Sequence, residues 1–114
     1  GGRLFFVNAQ YVTDQIDALV KEHNPRVLAL DMSRVFDLEY SALQMLAEGE
    51  KRAAEHGAVV WLVGLNPGVL EVVRHAGLDA RLGRERMLFN ARAAIERYQA
   101  LQTAAGAAPP PEGS

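Results

Sequence analysis

The chain predicts an α/β domain in which a mostly parallel central sheet of about four or five strands is layered with about four helices. Three observations carry that expectation. Short apolar runs, LFFV at 4–7, RVLALD at 26–31 and AVVWLVG at 58–64, lack the polar alternation of a sheet with one wet face, so each reads as a strand covered on both sides. Stretches of helical periodicity separate them, so strand and helix alternate along the chain. The 114 residues, 49% of them apolar, are enough for one core and leave no room for a second domain.

Taken in order, the run at 4–7 is followed by Asn8, whose side-chain oxygen suits the start of a helix because it can accept a free N–H. Val12, Ile16, Leu19, Val20 and His23 then recur at helical steps and share one stripe. Pro25 disfavours helix at Asn24 and ends this segment, and the run closing on Asp31 is the second strand. The next helix is expected over 41–55, with Ala42, Leu43, Leu46 and Ala53 inward and Glu48, Lys51, Arg52 and Glu55 mostly outward. Glu48 and Arg52 stand in the favourable i,i+4 order. Gly57 sits where a left-handed terminator belongs, ahead of the third strand.

Asn66 as cap, Pro67 as first helical residue and Gly77 as stop frame a helix with Val69, Leu70, Val73 and Ala76 inward. A short strand at 86–89 and a helix over 91–102, burying Ala94, Ile95, Tyr98 and Leu101, complete a domain spanning 4–102. From Thr103 the composition shifts to Ala, Gly and Pro, which cannot build a core, so 103–114 are expected to be a flexible tail.

Composition excludes several classes of function. Twelve Lys and Arg against 14 Asp and Glu leave a net charge of −2, which gives no general attraction to nucleic acid. Half of the basic residues fall at Arg74, Arg81, Arg84, Arg86, Arg92 and Arg97, a bias read as a solvated face. With no Cys there is no disulfide framework and no thiolate nucleophile, which fits a reducing compartment. No apolar run approaches the ~18 residues of a membrane span, so this piece alone is expected to be soluble. It opens GGRLFFVN, without a Met and directly into an apolar run, as a piece of a longer protein would.

In α/β sheets the loops after the carboxyl ends of strands gather function, which singles out DMSRVFDLEYSALQML at 31–46. Asp31, Ser33, Asp37, Glu39, Tyr40 and Ser41 crowd this turn, yet no His lies near to activate Ser41. Tyr40 and Ala42 flank it where a hydrolase serine has glycines, so no catalytic residue is assigned. Asp37 or Ser41 can cap the helix, and Glu39 complements its dipole. The loop reads instead as an interaction surface with a regulatory hydroxyl. Phosphate on Ser41 would meet free N–H groups and change the charge by about two units.

For nucleotides, only Gly64, Asn66 and Gly68 in VGLNPG offer a weak contact at a helix start. His23, His56 and His75 lie at three different helix ends, where the last carbonyls favour them, with no second ligand at metal spacing. Neither a metal nor a cofactor is expected.

The stretch LALDMSRVFDLEYSALQML resembles the signature of STAS domains, the module named for sulfate transporters and anti-sigma-factor antagonists. In that signature an apolar strand ends in Asp-x-Ser, and an acid, two hydroxyls and Gly-Leu follow. Asp31 and Ser33 match the first part; Glu39 stands for the acid, Tyr40 replaces the first hydroxyl, Ser41 matches the second, Ala42 replaces Gly and Leu43 matches Leu. LFFVNAQYV and GAVVWLVGLNPGVLEVVRHAGL are similar to the flanking stretches of the domain appended to SulP (SLC26-like) anion transporters.

That resemblance implies a STAS-like fold and a non-catalytic regulatory or interaction domain on the cytoplasmic face of the membrane, serving a sulfate or bicarbonate transporter. The implied partners are the transmembrane domain of its own parent and a cytosolic regulatory protein, with no nucleic acid. The family's opening strand has almost no counterpart here, which implies a bared sheet edge through which two copies could pair. Two other readings compete: a stand-alone anti-sigma-factor antagonist switched by phosphorylation of Ser41, and a small nucleotide-binding module.

Overall fold

The computed structural model describes residues 3–11 and 15–107. Among the described residues four strands, β1 (Leu4–Asn8), β2 (Val27–Asp31), β3 (Val59–Val63) and β4 (Met87–Leu88), form one sheet. Their order across it is β1-β2-β3-β4, and every neighbouring pair is parallel. Five α-helices among the described residues connect and follow them: α1 (Ile16–His23), α2 (Tyr40–Glu55), α3 (Pro67–His75), α4 (Leu78–Leu82) and α5 (Ala91–Ala107). The α/β class and the parallel sheet are those the sequence predicts.

Strand order equal to chain order decides the layering. Each crossover moves one place in the same direction, and crossovers of one hand then lay every intervening helix on one face. The core divides accordingly. On that face Leu28, Leu30, Val60 and Leu62 meet Ile16 and Val20 of α1, Leu43 and Leu46 of α2, Val69 and Val73 of α3, and Leu78 and Leu82 of α4. On the other face Val27, Ala29, Trp61 and Val63 meet Ala94 and Tyr98 of α5. The Trp61 and Tyr98 rings approach edge to face with centroids 6.5 Å apart.

Close helix contact on the crowded face uses a small residue. Gly49 of α2 faces Ile16 of α1 so closely that an added Cβ would lie 2.9 Å from its Cδ1. Beside it Arg52 Nε donates to Asp17 Oδ1 at 3.0 Å, a shorter contact than the expected one to Glu48, whose Oε1 lies 3.8 Å from Nη1. Glu50, with its side chain only 13% exposed, receives Arg81 Nε at 3.1 Å and lies 3.8 Å from Arg86 Nη1, so two of the clustered arginines tie α2 to the α4 region.

Several elements differ from expectation. Strand β1 is not covered on both sides: it forms one edge of the sheet, and Phe6 at its centre is 38% exposed. Asn8 does not start a long helix; its Oδ1 accepts the Gln10 N–H at 2.9 Å within a 3-10 turn at Ala9–Tyr11, and α1 begins only at Ile16. Val12 lies outside the described residues. Helix α4 is additional, a single turn between Gly77 and Gly83 that buries Leu78 and Leu82. The last strand has two residues, not four.

Helix α5 runs to Ala107, five residues beyond the expected boundary, because alanine is the strongest helix former whatever it fails to bury. Residues 108–114 of the expected tail lie outside the described set. Ala94 and Tyr98 are buried as expected, but Ile95 and Leu101 are 42% and 49% exposed, since one helix alone on a sheet face covers it with a narrow stripe. Ala76 is likewise exposed and Leu70 half-buried, while Val69 and Val73 are fully inside.

Candidate functional site: the loop between β2 and α2

Strand β2 ends on Asp31 at the carboxyl edge of the sheet, and the chain leaves it through a turn held by several independent contacts. Asp31 Oδ1 accepts both the Ser33 N–H at 3.0 Å and the Ser33 hydroxyl at 2.6 Å, a local Asx-type closure. The Met32 N–H donates to the Val63 carbonyl at 2.7 Å and the Val35 N–H to the Met32 carbonyl at 3.0 Å. From one side Gln10 Nε2 donates to the Arg34 carbonyl at 3.3 Å, and from the other Asn66 Nδ2 donates to the Val35 carbonyl at 3.1 Å. Met32 and Val35 are buried beneath, so the loop is fixed by core contacts as well as by polar ones.

These bonds place the sequence-predicted residues in two groups. Asp31 and Ser33 lie together at the strand end, next to Gly64, where φ is +77° and an added Cβ would approach Ser33 Cβ to 3.3 Å. Asp37, Glu39, Tyr40 and Ser41 lie further along, at the start of α2. Glu39 is the N-cap residue and its carbonyl accepts the Leu43 N–H at 3.1 Å, but no side chain caps the helix. Ser41 is exposed in the first turn. Asn66 is the N-cap residue of α3 but makes no capping bond through its side chain; its Nδ2 reaches the loop instead. Gly68 is in the first turn of α3, with open space where a side chain would be.

The hydrogen bond from the Ser33 hydroxyl, and after it the one from the Ser33 N–H, hold the Asp31 carboxyl below the usual carboxylate range; burial opposes them less strongly, and the nearby Arg34 charge adds a still smaller lowering. Asp31 is therefore ionised at neutral pH and a weak base, and Ser33 donates to it with no imidazole in the arrangement. This pair locks a turn.

Beyond Val35 the loop opens a groove of about 420 Å³ lined by the apolar Ala9, Met32, Val35, Phe36, Leu38, Ala42 and Leu46 together with Gln10, Arg34 and Asp37, so its charged lining is one base and one acid. Phe36 is 77% exposed and Tyr40 68%. Sequence reasoning missed Phe36, Gln10 and the role of Asn66. The pair Val35-Phe36 gives no sign of which aromatic or aliphatic side chain turns outward, and Gln10 and Asn66 act on a segment more than 20 residues away in sequence. A second groove, about 440 Å³, lies over the carboxyl edge of the sheet and brings Asp31, Ser33 and Gly64 together with the half-exposed Phe6 and with Phe89. Among the described residues no group of three metal-ligating side chains forms, and no helix is long and apolar enough to cross a membrane.

Comparison with known proteins agrees with this architecture. A sulfate transporter family protein from Wolinella succinogenes superposes with a TM-score of 0.76 at 20% identity, covering 90% of this chain and 88% of that one. The SulP transporter STAS domain from Vibrio cholerae gives 0.75 at 16% identity, over 90% of this chain and 84% of the other. Murine Slc26a9, an anion transporter in the inward-facing state, gives 0.67 at 20% identity; 88% of this chain is covered, and it spans 18% of that much longer protein. At these identities the likeness establishes the fold. Comparison with curated proteins by sequence gives no match. The STAS domain family matches residues 1–95, most of the length, and the chain belongs to that family.

Proposed function

We propose that this domain is a non-catalytic regulatory and interaction module on the cytoplasmic face of a SulP-type membrane transporter for sulfate, bicarbonate or a related anion. The observation that carries the reading is similarity over about nine-tenths of the chain to domains of sulfate and SulP transporters, combined with a carboxyl-edge loop built for contact and lacking a paired nucleophile and base. Its first partner is the transmembrane part of its own parent; a cytosolic regulatory protein is the second. The contact surface is the loop carrying Asp37, Glu39, Tyr40 and Ser41, with Asp31 and Ser33 holding its start.

The test is uptake of labelled sulfate and bicarbonate by cells expressing the intact gene product with and without residues 4–102. Anion-specific uptake that falls on deletion, at equal membrane abundance, supports the reading; absence of any anion flux from the intact protein overturns it.

Two finer features belong with this proposal. Ser41, exposed in the first turn of α2, favours regulation by phosphorylation, because free N–H groups and the helix dipole stabilise a phosphate there. Mass spectrometry after incubation with the cell's kinases checks it, and an unmodified Ser41 removes it. The outer edge of β1, with no strand pairing it among the described residues, favours weak pairing of two copies. Sedimentation of the wild type against a Phe6→Lys variant decides this, and a concentration-independent monomer removes it.

A further inference from the structure

We propose that the groove over the carboxyl edge of the sheet binds a planar organic cation, a guanidinium or amidinium on an apolar body, with Phe6 and Phe89 taking its flat surface and Asp31 its charge. This goes beyond the transporter reading and does not depend on it. The groove, about 440 Å³, gathers Phe6 of β1, Asp31 at the end of β2, Gly64 after β3, and Phe89 and Asn90 between β4 and α5. In parallel sheets this end is where ligands bind, because the strand-to-helix connections leave a crevice there. The domain's own fold leaves both rings uncovered, Phe89 almost wholly and Phe6 in part.

Charge selects the ligand. Asp31 is the one charged residue of the lining, so no base inside the groove offsets it. Both Ser33 donors go to its Oδ1, and among the described residues Oδ2 accepts no hydrogen bond and neither oxygen forms an ion pair. Arg34 lies outside the lining, and its effect on Asp31 is the smallest of those acting there. The carboxylate is therefore ionised at neutral pH with one oxygen to offer. A flat, delocalised and weakly hydrated cation can stack on an aromatic ring while it meets a carboxylate, which a compact ammonium ion does less well. One feature opposes it: α5 begins at the groove with Ala91, and a helix start favours an anion. Asn90 Oδ1 already accepts the Ala93 N–H there at 2.8 Å, and the full charge of Asp31 outweighs the roughly half charge of a helix end.

The test titrates the full 114-residue chain, isotope-labelled for NMR, with benzamidine, benzamide and benzoate, which share a ring and are cationic, neutral and anionic. Benzamidine at millimolar concentration should shift Phe6, Asp31, Ser33, Gly64, Phe89 and Asn90, and should bind about fivefold more tightly than benzamide. Benzoate should leave those signals in place. Asp31→Asn, which keeps an acceptor for Ser33, should remove the preference for the cation, and Phe89→Ala should weaken benzamidine about threefold at an unchanged melting temperature. A short arginine peptide set beside benzamidine separates the sources: tighter benzamidine supports a free ligand, and a tighter peptide supports the same cation site filled by a partner's arginine. No shift from benzamidine, equal affinity for benzamidine and benzamide, tighter binding of benzoate, or binding unchanged by Asp31→Asn and Phe89→Ala would overturn the proposal.

Discussion

The two faces of this sheet share the same strands and are built to different standards. One carries α1 to α4 and a continuous apolar cluster that includes Leu28 and Leu30 at 0% exposure; the other carries, among the described residues, α5 alone and leaves Phe6, Ile95 and Leu101 partly bare. The asymmetry follows from connectivity. When strands succeed one another in chain order, the crossovers can furnish only one face, and the segment after the last strand must serve the other. Stability should therefore concentrate on the four-helix side, where the β2–α2 loop is also rooted through Met32 and Val35.

Mutations grade that contrast. Leu30→Ala, in the crowded core, should lower unfolding free energy by about 3–4 kcal/mol in urea titrations. Tyr98→Ala should lower it by about 2 kcal/mol, because the ring packs in a thinner layer, and should shift the fluorescence of Trp61 to the red. Equal losses from the two variants would show that the single-helix face is as well consolidated as the other.

Gly64→Ala probes the joint between the sheet edge and the loop. A side chain at φ +77°, pressed against Ser33, should cost about 1–2 kcal/mol by the same measurement. Ser33→Ala removes the hydroxyl bond to Asp31 and should cost about 1 kcal/mol at neutral pH. Because the folded-state pKa of Asp31 is depressed, its contribution is present above the ordinary value of 3.8 and is lost as pH falls through the folded value. The gap between wild type and Ser33→Ala should accordingly persist down to the ordinary carboxylate range and narrow in stronger acid. Phe36→Ala should change stability by less than about 0.5 kcal/mol, since the ring is largely in solvent.

Much of this was legible in the residues themselves. Continuous apolar runs named β2 and β3, and the Asn66, Pro67 and Gly77 punctuation located α3, because these signals are local. The likeness of LALDMSRVFDLEYSALQML to the STAS signature named the family, which the match over residues 1–95 bears out. Strand order was not legible, so β1 looked doubly covered when it is an edge, and Ile95 and Leu101 looked buried when about half of each side chain is in solvent. Helix α4 was visible in principle, as Leu78 and Leu82 stand four apart between two glycines. At the candidate site, the acids and Ser41 were legible by type, whereas the groove depends on Gln10 and Asn66 reaching across from distant turns, which no local pattern encodes.

The most direct measurement is sulfate uptake by the intact parent protein carrying Phe36→Ala, Asp37→Lys and Glu39→Lys together, compared with wild type at equal membrane abundance. If the β2–α2 loop is the surface through which this domain acts, uptake should change at least about threefold while the isolated domain keeps its melting temperature. Uptake and its regulation left at wild-type levels by the triple variant would contradict it.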